Sequence, residues 1–382
     1  MSSRRTAVFV IGLLCVASFV YAQANGKLQI HYMDVGQGDG AVLISPKGQV
    51  VLFDDGAYKN CDKPVAYLQQ LGVTAIDYHI ASHYHADHIG CASEVFAAYP
   101  LKLDAFDRGE SYPGGVYQAY VKAVGTHRKT AAPGTVITLD QSSPNPVTIT
   151  IAAFNGNGVQ TTNENDLSVV SVVHFGSFVA EFGGDLSGFE TSSYQDIETS
   201  VAPAVGRIDI YKVHHHCSAY SSNDIWLQTT QPRIGIISTG NGNTYHHPTD
   251  ECLERLHKTG VRTYWTEEGN EATPEPGFDI VAGSVTVEVA PGASEYTVTQ
   301  LNGGKQAFPT WATSATTTPA PTLTPPGATP PPTPQAVSYA WSSKSKIYHL
   351  STCRFVQSIS PQNLEQGPTP PPGKTLHEGC PK

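Results

Sequence analysis

The chain has 382 residues, 40% of them hydrophobic and 15% charged, which is enough for a large core and a small appendage. Its formal net charge is -10 and its pI is about 5.8. That balance is a poor electrostatic footprint for long duplex nucleic acid, whose tight, non-specific binding rewards dense Lys and Arg; it leaves nuclease action open, because bound metal ions supply local positive charge.

Residues 1–24 read as an export signal. Arg4 and Arg5 make a positive start, the run from Ala7 to Val20 is apolar except at Gly12 and Ser18, and Ala22-Gln23-Ala24 is a small-residue cleavage pattern. The apolar run is short for a membrane span. The expectation is cleavage after Ala24 and a secreted or periplasmic chain with no transmembrane segment, an uncleaved anchor being the alternative.

Residues 25–301 alternate short apolar runs with Gly, Asn and Pro turns. Residues 27–34, 40–44 and 50–53 have the alternating or continuously apolar character of strands. Residues 64–71 read as a helix, 76–82 as a strand, and a helix begins at Ile89. Residues 147–154, 168–174 and 178–182 form a second strand group. Residues 250–258 have helical spacing, with Asp250 and Glu251 favouring the start through the helix dipole. Residues 261–266 and 284–289 are late strands. Periodicity alone says mixed α and β. Residues 302–336 turn to Thr, Ala and Pro, a composition that builds no core and makes a semi-rigid linker. A small module with Cys and His fills residues 337–382.

His83-Tyr84-His85-Ala86-Asp87-His88 places four metal-ligand side chains within six residues. Imidazole nitrogen and carboxylate oxygen suit zinc first and manganese second. His83 and His85 are two apart, so on an extended segment they point the same way. Asp87 and His88 are adjacent and diverge, so they can serve a second ion. Two ions about 3.5–4 Å apart can activate a water and stabilise a leaving oxygen together.

This run resembles the metallo-β-lactamase fold superfamily of hydrolases. Met33-Asp34-Val35-Gly36-Gln37-Gly38-Asp39-Gly40, Lys212-Val213-His214-His215-His216-Cys217-Ser218 and Asn243-Thr244-Tyr245-His246-His247-Pro248 are similar to motifs in the hydrolase domain of the ComEC competence proteins. The resemblance covers roughly residues 27 to 290 and implies an αββα sandwich. It implies His83 and His85 on one ion and Asp87, His88 and His215 on the other. Asp185, in Phe182-Gly183-Gly184-Asp185-Leu186, would bridge them. Three consecutive histidines leave His216 as the competing ligand by one residue. His214 and Cys217 stand where the resembled K-V-G-H-H-G-S has glycine. Asp54 would orient the ligands, with Asp55 as the alternative. Many members of the superfamily supply a further histidine to the first ion. Here Asn163-Glu164-Asn165-Asp166-Leu167-Ser168 stands in its place, with Asp166 or Asn165 as substitutes. His247 is the second catalytic candidate, beside Asp87 as proton acceptor.

The implied function is a metal-dependent hydrolase with two divalent ions, acting on a phosphodiester or another small ester, single-stranded DNA among them. A lactone or other ester hydrolase and a non-catalytic, metal-stabilised binding protein stay open as alternatives. Loss of Cys15 with the signal leaves six cysteines, which in an oxidising compartment suggests disulfides. The resembled fold gathers the segments that would pair Cys61 with Cys91 and Cys217 with Cys252; Cys217 as a metal thiolate is the alternative. In the C-terminal module, His349, Cys353, His377 and Cys380 make either a zinc set or a Cys353–Cys380 disulfide beside two free histidines. That module would bind a surface or partner.

Overall fold

Three strands rich in Val, Ile and Leu open the described fold, and the second and third have apolar residues on both faces. The computed structural model describes residues 24–270, 272–311, 339–342, 347–350, 364–367, 371–372 and 374–376. The first strands are β1 (Leu28–Tyr32), β2 (Gly40–Ile44), β3 (Val50–Asp55), β4 (Tyr78–Ile80), β5 (Ala105–Asp107) and β6 (Arg128–Thr130). A second sheet holds β7 (Val136–Leu139), β8 (Val147–Ala153), β9 (Val170–Phe175), β10 (Phe178–Phe182), β11 (Ile210–Lys212), β12 (Ile234–Ile237), β13 (Arg262–Trp265) and β14 (Asp279–Val281). The chain returns to the first sheet with β15 (Val285–Val289), β16 (Glu295–Gln300) and β17 (Lys305–Pro309).

The strand orders are β17-β16-β15-β1-β2-β3-β4-β5-β6 and β14-β13-β12-β11-β10-β9-β8-β7. Each sheet is antiparallel in one half and parallel in the other, the parallel parts running from β3 to β6 and from β10 to β14. Period-two alternation sorts the side chains between layers. Leu43, Val51 and Phe53 meet Ile149, Phe178 and Phe182 between the sheets, where Phe53 and Phe182 stack at 4.1 Å. Val42 and Leu52 point the other way, against Leu68 of α1 (Asp62–Gln70) and Val95 of α2 (Ala92–Ala98). α3 (Gly115–Val124) packs Tyr120 and Val124 beside α2.

Behind the second sheet, Tyr211, Val213 and Ile237 pack on α4 (Glu198–Val205), α5 (Asp224–Thr230) and α6 (Asp250–Lys258). The result is an αββα sandwich. Asn223 caps α5 by accepting from Trp226 N at 2.7 Å. Thr249 caps α6, whose acidic first turn and basic last turn complement the helix dipole.

The sheet continues past Leu301, where the sequence reading ended the globular part. β17 is exposed except at Phe308, which packs on Tyr296, so it carries too little hydrophobic alternation to betray it. Beyond it, Trp311 donates to Ile208 O at 2.9 Å, under the guanidinium of Arg233 at 3.8 Å. Two disulfides join Cys61 to Cys91 and Cys217 to Cys252, the pairings the resemblance implies, so Cys217 is not a thiolate ligand. Among the described residues no helix is long and apolar enough to cross a membrane.

Contacts divide the chain into residues 1–317 and 318–382. The second unit contains a small four-stranded sheet, in which Trp341 donates to Glu365 at 2.6 Å. Its proposed zinc or disulfide residues Cys353, His377 and Cys380 lie outside the described residues, as do the side chain of His349 and the export signal up to Gln23.

Candidate metal centre

The loops that follow β3, β4, β10, β11 and β12 leave at one end of the sandwich. Ligands of α/β sheets gather outside the carboxyl ends of parallel strands. Backbone and side-chain bonds fix each loop there. Ser82 N and Ser82 Oγ both donate to Asp54 at 2.7 Å, and Asp55 N donates to His88 O at 2.7 Å. Tyr84 N donates to Glu164 Oε1 at 2.9 Å, and Arg108 holds Glu164 with paired bonds of 2.9 and 2.7 Å. Two glycines allow the loops to meet. Gly38 and Gly184 have φ of +145° and +57°, and a Cβ there would lie 2.4 Å from Asp87 O and 2.6 Å from Ser82 Cβ.

Asp87, His88, Asp185 and His216 converge, each offering a ligand atom within 4.8 Å of the others. His88 Nε2 is 3.3 Å from Asp185 Oδ2, and His216 Nε2 is 3.6 Å from Asp185 Oδ1 and 3.5 Å from Asp87 Oδ2. His83 Nε2 lies 3.9 Å from Asp185 Oδ2 and 3.0 Å from His85 Nδ1. Asp185 therefore stands between the His83–His85 pair and the remaining residues. His88 Nε2, Asp185 Oδ1 and His216 Nε2 are buried with no hydrogen-bond partner. Buried polar atoms are rarely left so, and this convergence of imidazole and carboxylate donors fits a divalent cation.

The electrostatics agree. Burial alone would lower the pKa of His88, but Asp185 and Asp54 outweigh it and hold it well above the ordinary range. Burial opposes ionisation of Asp185, yet His88, His216 and His215 keep its pKa well below the usual carboxylate value. The same carboxylates that favour a proton here favour a metal ion.

Asp54 takes the orienting place, accepting from His88 Nδ1 at 2.7 Å. Asp55 turns away and accepts from Cys91 N at 2.6 Å. Of the two adjacent histidines, His216 enters the four-residue group. His215, the first expectation, instead points its Nε2 toward Asn165 Nδ2 at 3.1 Å, 3.9 Å from Asp185 Oδ2. His215, His216 and Cys217 have φ of 49°, 53° and 62°, and this left-handed turn brings both rings to the cleft, His216 nearer Asp87 and Asp185 and His215 nearer Asn165. Asp166 also points elsewhere, accepting from Thr161 Oγ1 at 2.8 Å and Gln195 N at 2.9 Å; its neighbour Asn165 faces the centre. His247 lines the same cleft, its ring 5.5 Å from that of His215. Burial, with His216 and His215 nearby, takes its pKa down to about 3.

The group opens on a cleft of about 800 Å³. The family model described as the Metallo-beta-lactamase superfamily matches residues 40–241. The chain belongs to the metallo-β-lactamase superfamily. It is 24% identical over 280 residues to ComE operon protein 3 of Bacillus subtilis, covering 67% of this chain and 34% of that protein. It is 27% identical over 262 residues to Recombination protein 2 of Haemophilus influenzae, covering 65% and 29%. The chain thus spans about a third of the length of these relatives. The solved structure of MEM-A1, a subclass B3 metallo-β-lactamase from a soil metagenome library, is 16% identical with a TM-score of 0.36, covering 60% of this chain and 89% of that one. This is a hydrolase fold that implies divalent metal ions.

Several neighbours of this superfamily site had no role in the sequence reading. Lys212 Nζ donates to Asp39 Oδ2 at 2.6 Å, both side chains buried, and Asp39 Oδ1 is 3.4 Å from His216 Nδ1. Each of the two belongs to a quoted motif, but their pairing is a tertiary fact. His214, where the resembled motif has glycine, is not at the centre. It is fully buried between Glu198 at 2.8 Å and Glu181 at 3.2 Å. Burial opposes its charge, but the two glutamates outweigh it and raise its pKa to about 9.

Proposed function

We propose that the chain is an exported metal-dependent phosphodiesterase acting on nucleic-acid ends or small phosphodiesters. The observation that carries this is the buried, partnerless convergence of His88 Nε2, Asp185 Oδ1 and His216 Nε2 at the floor of an open cleft. His83 and His85 would hold one ion, and Asp87, His88 and His216 the second, with Asp185 shared. Zinc is the first choice for these ligands and manganese the second. Ions bound there would supply Lewis acidity and a water of lowered pKa.

The chain's own groups do the rest. Asp54 fixes the His88 ring through Nδ1 and so aims Nε2 into the group. Asp87 accepts the proton of the attacking water. The water oxygen bonds to phosphorus, the ester P–O bond breaks, and the leaving alkoxide takes up the proton that Asp87 received. His247 is neutral at pH 7, so it donates a hydrogen bond to the developing charge rather than acting as an imidazolium acid. The competence and recombination names of the relatives support a nucleic-acid substrate. Export is supported by the first residues and by two disulfides, which persist in oxidising compartments. N-terminal sequencing of exported protein should begin at Asn25; a start at Ser2 would refute cleavage.

The decisive experiment measures metal content and hydrolysis of bis(p-nitrophenyl) phosphate for the wild type and His88→Ala. Bound metal, with activity lost in the variant, is expected. Metal without phosphodiester cleavage would redirect the assignment to lactones and other esters, and no metal in the first unit would remove the catalytic assignment.

A further inference from the structure

We propose that the cleft holds its substrate by stacking nucleobases on tyrosines, not by neutralising phosphates, and so selects flexible single-stranded ends one or two nucleotides deep. The proposal rests on the phosphodiester assignment above and deepens it. No lysine or arginine lines the cleft among the described residues, and its charged walls are the carboxylates of Asp87, Glu164 and Asp185. Cationic side chains beside its lining residues are already engaged: Lys212 with Asp39, Arg108 with Glu164, and Arg255 with the backbone oxygens of Ala219, Ser221 and Ser222. A backbone polyanion therefore finds no row of counter-charges along these walls, and duplex binding depends on such a row.

Aromatic faces take its place. Tyr194 and Tyr220 lie 5.1 Å apart with planes inclined by 31°, and Tyr194 meets the His215 ring at 5.7 Å. Across the opening, Tyr245 stacks on His247 at 5.8 Å and 23°. Tyr220 is 43% exposed and Tyr245 64% exposed. Here both rings flank the mouth of one cleft whose floor is the metal group. Every base has a π face, so such platforms bind single strands with little sequence preference. A cleft of about 800 Å³ is within the size range of small-ligand pockets. It admits a splayed terminal nucleotide and its neighbour but not a paired helix.

The test is binding of a pentathymidylate with methylphosphonate links, which carries no backbone charge and resists hydrolysis. Its abasic counterpart with the same backbone is the control, and the protein is the full metal-loaded chain. Fluorescence anisotropy should show binding of the thymidylate and at least tenfold weaker binding of the abasic strand. Tyr220→Ala and Tyr245→Ala should each weaken thymidylate binding by about five- to a hundredfold, and Tyr→Phe at either position should restore it. Thermal melts confirm that the variants fold. A wild type that fails to prefer thymidylate over the abasic strand overturns the proposal, as do alanine variants that bind like wild type. Because binding is read without turnover, a protein that stacks bases yet cleaves no phosphodiester would lose only the catalytic assignment. One that cleaves bis(p-nitrophenyl) phosphate yet ignores bases would lose only the stacking.

Discussion

The Cys217–Cys252 disulfide should stabilise the fold and also hold the metal site in shape. The two cysteines are 35 positions apart and fully buried, and closing a loop of that size removes denatured-state entropy worth about 4 kcal/mol. Cys217 sits at φ 62°, the third consecutive left-handed residue after His215 and His216. Left-handed non-glycine residues cost about 1 kcal/mol or more each, so the bridge offsets roughly what the turn costs. Cys217→Ala/Cys252→Ala should lower Tm by roughly 8–16 °C, taking about 2–4 °C per kcal/mol for a domain of this size. It should also weaken zinc binding at least tenfold, because His216 loses the anchor of the residue after it. Cys61→Ala/Cys91→Ala is the internal control. Its separation of 30 predicts a similar loss of stability, about 4 kcal/mol. Zinc binding should change far less, because Asp54 and Asp55 hold His88 independently. Calorimetry under non-reducing conditions and zinc titration against a chromophoric chelator read the two effects. If the Cys217 variant melts like wild type, the entropic account is wrong. If it loses stability but keeps its zinc affinity, the turn does not need the bridge.

Three further outcomes follow from the site and the core. His216→Ala should abolish binding of one metal equivalent, whereas His215→Ala should retain both and impair turnover; equal metal loss in the two would refute the placement of His216. Asp54→Asn should weaken metal binding about 10–100-fold by loosening the His88 ring, as competition titration would show, and an unchanged affinity would remove its orienting role. His31 is buried beside Tyr67 and Thr286, and burial, opposed by Glu288, takes its pKa down from 6.5 to about 4. The unfolded chain takes up that proton below pH 6.5 and the folded chain only near pH 4. Stability is therefore full above pH 6.5 and falls by about 3 kcal/mol as pH drops to 4. Urea melts at pH 7 and 4.5 should show His31→Gln losing part of that slope; parallel slopes would refute the assignment.

The legible parts of this chain are those whose signal is local. β2 and α6 coincide with their expected ranges, and β1 and β3 lie within a residue or two of theirs, because alternation, helical spacing and the acidic start of residues 250–258 are properties of short windows. α4 is not legible despite Gly206 at its end and Asp196 accepting from Thr199 N at its start, since Pro203 sits inside its short span. β5, β6 and β11 have only three residues each, too few to show a period. In the site, the residues of His83–His88 and Asp185 could be nominated from their order along the chain. The placement of His215 and His216 relative to Asp185 could not, because it turns on three φ angles of the wrong sign for ordinary residues. Asp166 drew attention by its chemistry, but Thr161 and Gln195 already occupy it. The Asp39–Lys212 pair joins two sheets, and no window spans it.

The buried triad of Glu181, His214 and Glu198 bears on how this chain can change. A Cβ at Gly183 would lie 2.4 Å from His214 Nε2, so the ring at 214 fits only while position 183 stays bare. The glycine of the resembled motif cannot simply return at 214 either. His214→Gly would leave Glu181 and Glu198 facing each other with no cation between them, and uncompensated buried charge costs several kcal/mol. The three positions, on β10, on the turn after β11 and at the start of α4, are therefore coupled. A change at any one of them breaks the pairing, so this arrangement is exchanged only by replacing His214 together with its glutamates.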